Sequence, residues 1–181
     1  MQDREMIREI QRGKREYLNV IAEKYYDDIY RFCCYQIGSS QDAGDLTQET
    51  FLHFIRSVEY CHSQNLKGYL FTIARNVCVD YFRSSKSRRD KETNFQIEDF
   101  SEENHRQEGR TYQEEYLITV EQLAQCLPQM QREAVVLYYG YGFKYREIAR
   151  MTGTKIGTVK SRVRQGTEKL RRNVNREDWN A

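Results

Sequence analysis

Between Lys155 and Gln165 the chain carries Thr158, Lys160, Ser161, Arg162 and Arg164. Such a set suits contact with a nucleic acid. Lysine and arginine neutralise phosphates, while arginine, glutamine, serine and threonine reach the hydrogen-bonding groups of base edges. The surroundings share this bias. From Lys144 to Arg172 ten basic residues face only Glu147 and Glu168, a net +8 in a chain whose total is +2. The stretch Glu98 to Glu103 holds four acids and no base. A balanced total therefore conceals a segment suited to a polyanion. A solvated helix face would carry the same charges, so spacing has to decide. YREIARM reads as a short helix burying Ile148 and Ala149, and Thr152-Gly153 as a tight turn. A longer helix then starts near Lys155, with Val159, Val163 and Leu170 on its apolar side. That is the helix-turn-helix layout, whose second helix enters the major groove. Its opposite side presents Thr158, Lys160, Ser161, Arg164 and Gln165. Gly166 weakens this helix by about 1 kcal/mol relative to alanine, a cost that close approach of a neighbouring helix would explain.

Two further groups lie earlier. In a helix from Gln41 to Val58, Asp45, Gln48, Glu49 and Leu52 follow i, i+3, i+4, i+7 on one outward strip. Ala43, Leu46, Phe51, Phe54, Ile55 and Val58 remain for a core. The strip suits docking to a protein, though a plain solvated face fits it too. A helix from Tyr69 to Arg83 has an apolar stripe of Leu70, Ile73, Ala74, Val77, Cys78 and Tyr81. Its other side offers Thr72, Arg75, Asn76, Val79 and Arg83, with Lys86, Arg88 and Arg89 beyond. The preceding loop, EYCHSQNLKG, supplies Tyr60, His62, Gln64 and Asn65. Cations to track phosphates and rings or amides to take unstacked bases suit a single strand. Tyr60 serves equally well as a packing residue.

An enzyme is harder to build. Asp42, Asp45, Glu49 and His53 share a helix face, but a di-iron bundle needs an E-x-x-H motif on two helices and two further Glu. Only three histidines exist, at 53, 62 and 105. Phosphate-loop and nucleophile motifs are missing as well. No catalytic residue, metal or cofactor is expected. Cys33, Cys34, Cys61, Cys78 and Cys126 form no C-x-x-C pair and read as small apolar residues of a reducing compartment.

The elements that must position these groups are helices. The 181 residues include one proline and 10 glycines, too little punctuation for sheets. No apolar run approaches the roughly 20 residues of a membrane span, and the first sixteen residues resemble no secretory signal. A cytoplasmic, all-α chain is expected: two small helical domains joined by a flexible charged linker, the second a helix-turn-helix domain. Residues 1–89 form the first domain, 90–112 the linker, 113–176 the second domain and 177–181 a tail. Met6, Ile7 and Ile10 mark a first helix ended by Gly13. Tyr17, Leu18, Ile21, Tyr25, Ile29, Phe32 and Cys33 mark a second, and Ser40 caps a third. In the second domain Val120, Leu123, Ala124 and Leu127 precede Pro128. Met130, Ala134, Leu137 and Tyr138 then drive a helix that Gly140 stops.

Two of these stretches resemble one family in the right order. LPQMQREAVVLYYGYGFKYREIARMTGTKIGTVKSRVRQGTEKLRR looks like region 4 of extracytoplasmic-function (ECF) sigma factors of bacterial RNA polymerase. Its most specific string is G-T-V-K-S-R from Gly157 to Arg162, followed by Gln165-Gly166 where the family usually has Arg-Ala. DAGDLTQETFL resembles region 2.2, with Gly44 in place of a usual Glu. GYLFTIARNVCVDYFR resembles regions 2.3–2.4, with Tyr69-Leu70 for the usual Trp-Leu and with Asn76, Asp80 and Arg83 matching. The resemblance implies promoter −35 contacts from Lys155, Thr158, Lys160, Ser161, Arg162, Arg164 and Gln165. It implies −10 contacts from Tyr60, His62, Asn65, Arg75, Asn76 and Arg83, and polymerase docking through Asp45, Gln48 and Glu49. The implied partners are core RNA polymerase (β′ clamp helices and β flap), promoter DNA and an anti-sigma factor, often membrane-bound; the chain itself is not a membrane protein. A stand-alone helix-turn-helix regulator of duplex operator DNA is the alternative, separable because it would initiate no transcript.

Overall fold

A computed structural model of the chain describes residues 2–61, 65–89 and 111–177. Every regular element among them is helical, in two compact units, Met1–Ser101 and Glu102–Ala181. Of the expected linker 90–112, residues 90–110 lie outside the described residues, as do residues 178–181, while Thr111 caps and Tyr112 opens a helix.

The first unit is built from α1 (Asp3–Gln11), α2 (Glu16–Ile37), α3 (Ser40–Ser57), a 3-10 turn (Val58–Tyr60) and α4 (Leu66–Arg89). Helices α2, α3 and α4 pack on one another around Phe32, Phe54 and Phe71, all essentially without solvent contact. The Phe32 and Phe71 rings lie 5.1 Å apart. α1 lays Met6, Ile7 and Ile10 against α2. Its Asp3 carboxylate accepts hydrogen bonds from Tyr25 and Lys24 of that helix. Burial and then Asp3 push the Tyr25 hydroxyl pKa upward, so it stays a donor. Gly13 (φ +98°) turns the chain out of α1.

The cap of α3 is Ser39 rather than Ser40, because the extended backbone at Ser39 lets its Oγ accept the Asp42 N–H at 3.4 Å. Thr47 and Thr50 are fully buried in α3. Each hydroxyl donates to the carbonyl four residues back, at 2.7 Å, so no polar atom is stranded. Ile55 was expected inside and is 44% exposed. Phe51, Phe54 and Val58 already fill the inward face of that turn, and Ile55 falls beside Leu52 outside. α4 begins three residues before Tyr69, since the Asn65 Oδ1 accepts the Gly68 N–H at 3.0 Å and caps it. The Tyr81 hydroxyl donates to Asp42 at 2.8 Å, tying α4 to the start of α3.

The second unit comprises α5 (Tyr112–Ala124), α6 (Gln129–Val135), a π turn (Val136–Gly140), α7 (Tyr145–Thr152) and α8 (Ile156–Glu177). Thr111 and Glu114 form a capping box for α5. Arg132 donates to the carbonyls of Gln125 and Leu127 and closes the α5–α6 corner. Met130, expected in the core, is 51% exposed, because a helix starting after Pro128 turns Ala134 and Val135 inward instead. Leu123 is also exposed. The helix after Pro128 does not run on to Gly140 as α-helix: Tyr141 N–H reaches back five residues to Val136. Gly153 (φ +62°) makes the turn between α7 and α8. Gly166 is buried where α8 crosses α6. A Cβ built there would stand 2.6 Å from Val135 Cγ2 and 3.3 Å from Leu127 Cδ1.

Candidate nucleic-acid interface

In the second unit α8 is seated by Val159 and Val163, both buried beneath it. That orientation turns Thr158, Lys160, Arg164 and Gln165 to solvent, with Lys155 exposed just ahead of the helix. Ser161 and Arg162 are half-buried on its flanks. Of the five residues that the apolar spacing places on the outward side, Thr158, Lys160, Arg164 and Gln165 are exposed and Ser161 is half-buried.

Its members are not equally available. Gln131 of α6 donates to Gln165 Oε1 at 3.0 Å, and Gln165 Nε2 donates to Ser161 Oγ at 3.2 Å. The Gln165 amide is thus engaged at both ends within the protein. Ser161, receiving that bond on its oxygen, keeps its own proton to donate. Lys160 places its ammonium 5.9 Å from the Tyr145 ring centroid, within cation–π range. The Tyr145 ring stacks on Tyr138 at 4.5 Å and 1°, and Tyr139 meets Tyr138 edge-on at 4.9 Å. A hydrogen bond to Tyr138 pushes the Tyr145 pKa up to about 12. Arg146 and Arg150 of α7, with Lys144 at its cap, add three exposed cations. These three were visible in the charge count but were not singled out as site residues. The first helix of this motif crosses the DNA backbone, so its cations suit phosphates. Nothing in the sequence pattern marked Gln131 or the tyrosine stack.

In the first unit Asp45, Gln48, Glu49 and Leu52 are all exposed on α3, and Leu52 is 52% accessible. Ile55 extends the strip by another turn with an apolar group that sequence reasoning had placed in the core. Gly44 leaves open space around its missing Cβ, so nothing replaces the absent carboxylate. Asp42 is engaged by Tyr81, and His53 stands 3.6 Å from Glu49. Among the described residues no three His, Cys, Asp or Glu side chains converge to hold a metal.

Tyr60 sits on the 3-10 turn and is 78% exposed. Gln11 of α1 donates through Nε2 to the carbonyls of Val58, Glu59 and Cys61. His62 and Gln64 lie outside the described residues. Asn65 commits its Oδ1 to capping α4. On α4, Asn76 and Arg83 are exposed and Arg75 is half-buried, while Arg83 reaches Asp80 at 3.5 Å. Tyr69 is half-buried against Phe54 and donates to Ser57 Oγ at 2.8 Å, joining the end of α3 to α4.

Comparison with known proteins fits this arrangement. Residues 21–88 match Sigma-70 region 2, and residues 117–170 match Sigma-70 region 4. The ECF RNA polymerase sigma factor EcfG of Rhodopseudomonas palustris is 34% identical over 137 residues, covering 74% of this chain and 71% of that relative. The chain belongs to the ECF RNA polymerase sigma factors. SigE of Mycolicibacterium smegmatis, another ECF sigma factor, is 30% identical over 83% of this chain. This sigma factor spans about 60% of the length of SigE and of BldN from Streptomyces coelicolor. Among solved structures, the Bartonella quintana sigma factor RpoE in complex with the anti-sigma factor NepR aligns with a TM-score of 0.70 at 25% identity. That alignment covers 89% of this sigma factor and 98% of RpoE. CnrH, solved with the cytosolic domain of CnrY, shares the fold at a TM-score of 0.66 and 18% identity over 96% of this chain and 97% of CnrH. Among the described residues no helix is long and apolar enough to cross a membrane.

Proposed function

We propose that this chain binds core RNA polymerase in the cytoplasm and directs it to promoters, recognising a −35 element and opening a −10 element, without catalysing a reaction itself. The observation that carries this reading is the pairing of two family-matched modules, region 2 then region 4, each with its expected polar face turned outward. In this reading Lys160 and Arg164 enter the major groove with Thr158 and the Ser161 hydroxyl. Lys155 and Arg162 take phosphates, joined by Lys144, Arg146 and Arg150. Gln165 acts by orienting Ser161. A bidentate arginine contact of this kind discriminates by about 1–3 kcal/mol. Asp45, Gln48 and Glu49, with Leu52 and Ile55 beside them, dock on the β′ clamp helices, and the second unit meets the β flap. Tyr60, His62, Arg75, Asn76 and Arg83 hold the −10 single strand, while Asn65 supports the loop by capping α4. Stacking a base on a ring is worth about 1–3 kcal/mol, comparable to the cost of unstacking it, so capture of an opened base needs no ATP. By analogy with RpoE and NepR, an anti-sigma factor holds the chain inactive.

The experiment is transcription in vitro with core bacterial polymerase and genomic DNA, with transcript starts mapped. Specific starts that depend on the added chain are expected. Lys160→Ala with Arg164→Ala should impair choice of start while sparing polymerase binding; charge reversal at Asp45 and Glu49 should weaken polymerase binding itself, and initiation with it. Binding to duplex DNA without polymerase, and no initiation, would establish the operator-binding regulator instead.

A further inference from the structure

Gln11 ends α1 and lies ahead of the region 2 match, which starts at residue 21. Its Nε2 stands 3.2 Å from the Val58 carbonyl, 3.3 Å from that of Glu59 and 3.1 Å from that of Cys61. An amide nitrogen carries two protons, so three acceptors share them. All three acceptors belong to the 3-10 turn and its exit, 47 to 50 residues away in sequence. Such a turn satisfies little of its own backbone: its exit bond is Cys61 N–H to Val58 at 3.1 Å. Val58 and Cys61 are buried on either side, and Glu59 and Tyr60 project between them, Tyr60 being the one ring. Gln11 is itself exposed, so its long side chain is not held there by burial. Its hydrogen bonds tie the end of α1 to the turn.

We propose that Gln11 is a positioning residue for single-strand capture, holding the Val58–Cys61 turn so that the Tyr60 ring stands ready for an unstacked base. This rests on the reading that Tyr60 meets the −10 strand. A turn free to adopt other shapes binds more weakly in proportion to the fraction that remains competent. Exchanging one net hydrogen bond for water corresponds to about a 2- to 10-fold change in that fraction.

The test uses the full chain assembled with core polymerase. The probe is a fork-junction DNA from a promoter mapped as above, with 2-aminopurine in its single-stranded −10 segment. Gln11→Met, which keeps length and removes the donors, should lower fork affinity about 2- to 10-fold, and Gln11→Glu should do the same. Affinity for core polymerase and for a duplex −35 fragment should not change. Tyr60→Ala should also weaken the fork complex, and adding Gln11→Met to it should cost nothing more. A silent Gln11→Met, losses that multiply in the double variant, or an equal loss on the −35 duplex would overturn the inference alone. A silent Tyr60→Ala would overturn the Tyr60 assignment and the inference with it.

Discussion

Replacing Gly166 with alanine sets two opposing effects against each other at one atom. Helix propensity favours alanine by about 1 kcal/mol in a helix interior. The added methyl would meet Val135 Cγ2 at 2.6 Å, Leu127 Cδ1 at 3.3 Å and Gln131 Cβ at 3.7 Å. Ordinary carbon contacts lie near 3.5–4.0 Å, so α8 and α6 must separate by about 1 Å or Val135 must leave its rotamer. Overpacking of this kind costs about 1–3 kcal/mol. The collision wins, and we expect a net loss of about 1 kcal/mol in the second unit. Native-state hydrogen exchange reads this locally: amides of α6 and α8 should exchange about fivefold faster. Gly44→Ala is the control. It also lies within a helix, but the space around its Cβ is open. The same substitution there should stabilise the first unit by up to about 1 kcal/mol. In a Val135→Ala background, where the colliding methyl is gone, Gly166→Ala should change sign and become stabilising. Slower exchange in α6 and α8 of the Gly166→Ala single variant would refute the reasoning, because propensity would then outweigh packing.

Two other outcomes can be measured directly. Tyr145→Leu should weaken −35 duplex binding about 2- to 5-fold by removing the ring beneath the Lys160 ammonium, Tyr145→Phe should retain it, and neither should matter once Lys160 is alanine. In a native thiol titration, Cys126 should react at once and the four buried cysteines only on unfolding, with Cys78 further protected by the Cys33 hydrogen bond and burial that raise its pKa; two or more rapid equivalents would contradict the burial of Cys33, Cys34, Cys61 and Cys78.

Much of this architecture was legible because periodicity reports burial. The Leu70-to-Tyr81 stripe and the Val159–Val163 pair predicted which sides of α4 and α8 face inward, and hence which charges face out. The close approach that would explain Gly166 is present as well: seven residues beyond Val159, Gly166 shares the inward side of α8 and lies where that helix crosses α6. The misses have a common cause. Ile55 and Met130 have core-like chemistry, but whether a hydrophobe is inside depends on how much room its neighbours leave, and that is a tertiary quantity. Asn65 and Gln165 look like base readers by type, yet their amides are engaged by Gly68 N–H, Gln131 and Ser161. Side-chain type alone does not reveal such prior engagements. Gln11 was invisible for the same reason: its partners are backbone carbonyls 47 to 50 residues away, and any residue type would have presented them.

The wide turn at Val136–Gly140 bears on how relatives of different length are to be lined up. Its closing bond spans one residue more than an ordinary helical turn. Removing a residue there would restore an ordinary turn, whereas removing one inside α8 would swing everything beyond it by about 100°. A homologue one residue shorter in this module should therefore take its gap at 136–140. Placed elsewhere, the gap would slide the recognition positions out of phase and pair the wrong side chains between otherwise comparable proteins.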